Sequence, residues 1–191
     1  MSALGAPDNN PTDQLILVDC EDRDTGHLSK EECHRGDGVR HRAFSVFLFN
    51  GRGELLLQQR SAAKPLWPLY WSNSCCSHPR RGETVEAAVQ RRLHEELSLE
   101  AEVEFLYKFE YQARYLDIGA EHEVCWVYAG FGAGAPTANA AEIAAWRYVT
   151  PDALAAELSA DPQRFTPWLK LEWTEITRRY LPWILGRAGG S

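Results

Sequence analysis

The stretch Ser77-His78-Pro79-Arg80-Arg81-Gly82-Glu83-Thr84-Val85-Glu86-Ala87-Ala88-Val89-Gln90-Arg91-Arg92-Leu93-His94-Glu95-Glu96-Leu97-Ser98-Leu99 carries the clearest periodic signal in the chain. Val85, Val89, Leu93 and Leu97 recur every four residues, which predicts a helix over 83–97 with one apolar face. Glu96, three residues after Leu93, lies on that same face. A carboxylate there is costly unless a cation or a hydrogen-bond donor meets it. Arg92, one turn earlier, would meet it as an ion pair.

Working outward, residues 41–49 are rich in Phe and Val and alternate as a strand. Asn50-Gly51-Arg52-Gly53 is a hairpin turn, and 54–60 is its antiparallel partner. Upstream, 14–18 reads as a short apolar strand ended by a charged, Gly-containing turn over 22–26. Residues 61–72, with two Pro and two Trp, form a rigid packed loop. Two longer strands are expected over 101–115 and 121–131, a loop over 132–139 and a strand over 143–149. Helices follow over 152–158 and 167–185, the second carrying Trp168, Trp173 and Trp183. This order predicts an α/β sandwich: a mixed β-sheet between α-helices, with an extra terminal strand and helices. The expected organisation is a flexible tail over 1–13, one domain over 14–186 and a flexible end over 187–191.

Composition sets the outer bounds. The chain has 191 residues, a net charge of −7, 45% hydrophobic and 25% charged residues. A chain of that length buries roughly 70% of its unfolded surface as a single domain. Seven each of Trp, Tyr and Phe exclude general disorder. No apolar run reaches the ~18 residues of a membrane span, and the polar N-terminus is not expected to be a secretory signal. The acidic balance argues against a nucleic-acid partner, while an anionic small substrate needs only a local basic cluster. Five cysteines, an odd number with no CxxC pair, point to free thiols in a reducing cytoplasm.

Three further groups carry chemistry. Glu121 and Glu123, two apart on a strand, share a face with Cys125 and Val127; they form either a solvated edge or a pair of ligands. His34, His41 and His78 are three of six histidines, and imidazole with carboxylate suits a divalent ion such as zinc or manganese. Cys75-Cys76 precede His78, as a core strand or as a thiol made reactive by a nearby metal. Being adjacent, they face opposite ways in extended backbone, and Cys76 shares parity with His78. Lys30, Arg60, Lys64, Arg91 and Arg92 are candidates to hold phosphate.

The opening stretch resembles the Nudix box, G-x5-E-x7-R-E-U-x-E-E-x-G-U, with Ser77, Arg92 and Ser98 in place of its first Gly, a Glu and its last Gly. Type I isopentenyl-diphosphate delta-isomerases depart from the box in this way, and the resemblance to them runs over about residues 14–183. It rests on Asn73-Ser74-Cys75-Cys76-Ser77-His78-Pro79 and Glu121-His122-Glu123-Val124-Cys125. It rests also on His34 and His41 before Ala43-Phe44-Ser45, on Arg60, Lys64 and Trp67-Pro68, and on Phe165-Thr166-Pro167-Trp168. The resemblance implies a Nudix-like fold and movement of a double bond between isopentenyl and dimethylallyl diphosphate. It implies Cys76 and Glu123 as the proton-handling pair on opposite sides of the substrate, with Cys76 carrying the proton. Tyr111 is implied beside the glutamate, and Trp168 against the cationic intermediate. It implies one divalent metal (Mn, Zn or Mg) on His34, His41, His78, Glu121 and Glu123. A magnesium ion on the diphosphate is implied at Glu96 and the Cys76 carbonyl, and diphosphate contacts at Lys30, Arg60, Lys64 and Arg92. The remaining expectation is a cytoplasmic enzyme, monomeric, with a small diphosphate substrate and no nucleic-acid or membrane partner. The rivals are a Nudix hydrolase, which Arg92 speaks against, and a thiol-bearing metal or redox module, which leaves the cations and Trp168 without a role.

Overall fold

A computed structural model describes residues 14–132 and 134–188; the expected tail over 1–13 lies outside the described residues. Strand β3 (His41–Phe49) organises them. One edge pairs in parallel with β8 (Gly119–Phe131), from His41 opposite Glu123 to Phe49 opposite Phe131. The other edge meets, in succession and antiparallel, β1 (Leu15–Val18), β6 (Cys75–Ser77) and β4 (Leu55–Arg60). Beyond these, β7 (Glu102–Tyr115) pairs with β8, β2 (Asp24–Leu28) with β1, and both β5 (Trp71–Ser72) and β9 (Ile143–Val149) with β4. The result is the mixed sheet the sequence predicts.

Helices cover both faces of that sheet. Phe44, Val46 and Leu48 of β3 pack with Leu56 and Cys75 against Val85, Val89, Leu93 and Leu97 of α2 (Val85–Leu97). The alternate residues Phe47 and Phe49 pack with Leu55, Leu57 and Val127 against the other layer. That layer comprises Leu154 of α3 (Pro151–Ala160), Leu169, Trp173 and Ile176 of α4 (Pro167–Arg179), and Ile184 of α5 (Leu181–Ala188). With helices on both sides, β3 is apolar and buried on successive residues and shows little polar alternation. Thr84 caps α2 by accepting from the Ala87 N–H at 3.2 Å, and Ser98 ends it in the left-handed conformation, φ 52°. Ser98 thus adopts the backbone for which a glycine is the usual residue.

Local expectations needed correction in three places. The turn expected over 22–26 is earlier: the Asp19 carboxylate accepts from the Glu21 and Arg23 N–H groups, and the chain is already extended at Asp24. The single helix expected over 167–185 breaks at Tyr180. Pro182 has no N–H to continue it, and its ring crowds the carbonyl a turn back. α5 then runs to Ala188, and the rest of the end expected over 187–191 lies outside the described residues. Finally, the short α1 (Lys30–Cys33) had no periodic signal; Ser29 and Glu32 fold it as a capping box.

Candidate active site

The C-terminal end of α1 and the first residue of β3 bring His34 and His41 together, with ring centroids 5.1 Å apart. His78, just past β6, stands 4.8 Å from His41, centroid to centroid. β8 supplies Glu121 and Glu123 from one face. One side-chain donor atom from each of these five residues lies within 4.8 Å of all the others. His41 Nδ1 is 2.7 Å from the Val39 carbonyl, so a proton there leaves Nε2 as the free lone pair facing the cluster. His34 Nε2 and Glu121 Oε2 are 2.7 Å apart, yet neither has a hydrogen bond, and nor does His41 Nε2. Three of the converging buried atoms thus have no hydrogen-bond partner among the described residues, a donor set that fits a divalent ion held among them. The hairpin carrying the carboxylates is clamped to His34: a Cβ on Gly119 would stand 2.4 Å from the His34 carbonyl oxygen, which accepts from the Ala120 N–H at 3.0 Å.

Electrostatics separates the two carboxylates. Burial works against the charge on Glu121, but His34 and His41 hold it down at about 2. Burial and the neighbouring Glu121 push Glu123 well above the ordinary range. Glu123 Oε2 accepts from the Tyr111 hydroxyl at 2.7 Å, while Oε1 lies 2.9 Å from His78 Nε2. Burial also pushes His41 down to about 4, leaving the imidazole neutral, the form a metal ion needs.

Cys75 and Cys76 divide as their parity predicts. Cys75 is fully buried in the layer under α2, whereas Cys76 lines a cavity with Glu123, Tyr111 and Trp168. The Cys76 Sγ faces Asn73 Oδ1 at 2.6 Å and accepts from Trp168 Nε1 at 3.2 Å. The Ser45 hydroxyl donates to it from 3.7 Å, and the Ser72 hydroxyl is equally distant. Burial, with Glu172 behind it, pushes this thiol up to about 12. It is therefore a thiol, with a proton to give. Because β6 and β8 flank opposite edges of β3, Cys76 and Glu123 enter the cavity from opposite sides.

At the mouth, Lys30, Arg60, Lys64 and Arg92 line the same cavity. Arg60 donates to the Trp67 and Leu66 carbonyls and lies 5.3 Å from the Trp168 ring centre. Glu142 bridges Lys64 and Arg92. Arg92 also reaches back to Glu96 Oε1, 3.1 Å from Nε, so the ion pair expected on α2 is present. Glu96 is 2% exposed and accepts from Gln58 as well, at 3.3 Å. Arg91 turns instead to Glu83, with two bonds of 2.7 and 2.8 Å, and does not line this cavity. Sequence reasoning missed Ser45, Gln58, Glu142 and Glu172. Only Glu172 had a signal: it falls one turn after Trp168 on the buried stripe of α4.

A mixed sheet between helices fits a Nudix domain, and residues 39–169 match the NUDIX domain family. Nudix enzymes use divalent metals, and the His/Glu cluster is suited to one. A solved protein from Deinococcus radiodurans superposes with a TM-score of 0.63 at 28% identity, over 77% of this chain and 89% of that one. The chain is 40% identical over 170 residues to isopentenyl-diphosphate Delta-isomerase 1 of Photorhabdus laumondii subsp. laumondii, spanning 88% of this chain and 97% of the relative. It is 45% identical over 154 residues to the isopentenyl-diphosphate Delta-isomerase of Nocardia farcinica, spanning 80% and 88%. The chain belongs to the isopentenyl-diphosphate Delta-isomerase family of Nudix proteins.

Proposed function

We propose that this chain interconverts isopentenyl and dimethylallyl diphosphate for isoprenoid biosynthesis, by protonating the alkene on one side and removing a proton on the other. One observation carries the reading: a half-buried thiol and a buried carboxyl enter one aromatic-walled cavity from opposite edges of β3, with four cations lining it too. Lys30, Arg60, Lys64 and Arg92 bind the diphosphate. Glu142, a carboxylate between Lys64 and Arg92, occupies the kind of place a phosphate oxygen would take. The Cys76 thiol delivers the proton, and Glu123, oriented by Tyr111, receives the other. An alkene is a poor base, so the step needs a dry, positioned acid. Trp168 turns its N–H to the Cys76 sulfur and presents its ring to the tertiary cation. His34, His41, His78, Glu121 and Glu123 would hold one divalent ion (Mn, Zn or Mg), and Glu96 with the Cys76 carbonyl would hold a magnesium ion. Such ions would supply positive charge to offset the carboxylates and the diphosphate. No helix among the described residues is long and apolar enough to cross a membrane. The reading is of a monomeric cytoplasmic enzyme with no nucleic-acid or membrane partner, working within residues 14–186.

The test is turnover of isopentenyl diphosphate with magnesium, the allylic product being read by its acid lability. Cys76→Ala abolishes turnover with fold and metal content kept, and Cys75→Ala costs little. An epoxide or haloalkyl diphosphate labels Cys76. Full activity in Cys76→Ala, or labelling at Cys75, overturns the assignment.

A further inference from the structure

α4 turns two side chains toward the Cys76 sulfur, and only one of them belongs to the proposed mechanism. Trp168 reaches the sulfur directly with its indole N–H. Glu172, one turn on, has no solvent exposure, and nothing in the reaction as set out uses it. Its neighbours on the buried stripe of α4 are Trp168, Leu169, Trp173 and Ile176, so a leucine or methionine would suit the packing. A carboxyl in that place loses its hydration and recovers little of it. Oε2 has no hydrogen-bond partner among the described residues. Oε1 accepts from the Cys125 thiol at 3.5 Å. The same thiol lies 3.5 Å from the Ser45 hydroxyl, and the Ser45 hydroxyl donates to the Cys76 sulfur from 3.7 Å. Ser45 and Cys125 are each 1% exposed. In register, Ser45 sits opposite Cys76 on one edge of β3, and its neighbour Ala43 sits opposite Cys125 on the other. The set therefore joins α4, β8, β3 and β6 beneath the reacting sulfur.

We propose that Glu172 is a positioning residue for the thiol: with Cys125 it fixes the Ser45 hydroxyl, and that hydroxyl with Trp168 aims the Cys76 sulfur into the cavity. This rests on the assignment of Cys76 as the proton-handling thiol. Burial pushes the Glu172 acid up to about 8, so at neutral pH it carries a proton and offers both a donor and an acceptor. A glutamine offers the same pair in nearly the same shape, and a leucine offers neither.

The experiment compares Glu172→Leu, Glu172→Gln, Ser45→Ala and the Glu172→Leu/Ser45→Ala double variant in two assays. One is steady-state isomerase kinetics. The other is the rate at which iodoacetamide alkylates Cys76, located by peptide mapping. Glu172→Leu and Ser45→Ala should each lower kcat at least tenfold with KM within twofold. The double variant should be no slower than the worse single, because both act through one hydroxyl. Glu172→Gln should return kcat to within threefold of the parent. The alkylation rate should shift in the same sense in Glu172→Leu and Ser45→Ala. Unchanged kcat in either single variant, a multiplicative loss in the double, or a change confined to KM overturns the proposal. Ser45→Ala decides the matter even if Glu172→Leu fails to fold. The parent reading fails separately: Cys76→Ala would then retain turnover, whatever the Glu172 variants do.

Discussion

Two helices each bury a glutamate on an apolar stripe, and they do so in opposite ways. On α2, Glu96 is met by the Arg92 guanidinium and the Gln58 amide. On α4, the Glu172 carboxyl is met by a thiol, and among the described residues its other oxygen has no hydrogen-bond partner. The first arrangement suits an ion, and the second suits a neutral acid. A buried carboxylate is thus defined by what faces it across the packing, and the helical stripe alone does not distinguish the two.

The largest effect should come from the charged side. Glu96→Ala leaves a largely buried Arg92 without its closest partner and should cost about 3 kcal/mol in urea denaturation. A cost below about 1 kcal/mol would place Arg92 in water and erase the contrast. Next is the neutral side. At low pH, below about 4.5, Glu172 is protonated in both the folded and the unfolded chain. As pH rises toward about 8, the unfolded chain loses this proton while the folded one keeps it, so stability falls with rising pH. Glu172→Gln has no such proton to lose. Between pH 5 and pH 7 it should gain about 2.5 kcal/mol relative to the parent. Parallel stability curves for the two proteins would show that Glu172 is ionised in the fold.

Which parts were legible follows from what each signal measures. The α2 stripe, the hairpin at Asn50–Gly53 and the parity of Cys75 and Cys76 are local, and each held. The β2 strand was hidden because Asp24-Thr25-Gly26 has turn chemistry, and pairing with β1 overrides it. β6 has three residues, too few for any period. In the site, residue chemistry singled out the three histidines, the two carboxylates and the basic side chains, the resemblance joined them into sets, and the structure gathers the five His and Glu residues and four of the cations. Glu142 was illegible: nothing in Ala140-Ala141-Glu142 marks a residue that bridges Lys64 and Arg92. Glu172 was legible by the rule applied to Glu96, since both follow a buried residue of their stripe by one helical turn or less.

Two smaller effects sharpen the comparison. Trp168, one turn before Glu172, is expected to contribute through its ring: Trp168→Leu should lose about 1–2 kcal/mol of barrier lowering, and Trp168→Phe less. Equal rates would reduce Trp168 to packing. Smallest is Glu95, which pairs with Arg92 at 2.7 Å from an exposed position. Glu95→Ala should change stability by under about 1 kcal/mol. A loss as large as that of Glu96→Ala would mean that proximity to Arg92, rather than burial, sets the value of the pair.

The parallel pairing of β3 with β8 also governs when this centre comes into being. His41 meets Glu123 across a loop of roughly eighty residues, a closure whose entropy is spent before any ligand contact repays it. All three histidines precede both carboxylates along the chain. A growing polypeptide therefore exposes imidazoles long before β8 exists, and the complete ligand set first forms when the second half docks onto the first. Any ion bound by all five groups would therefore enter late, after the sheet has closed.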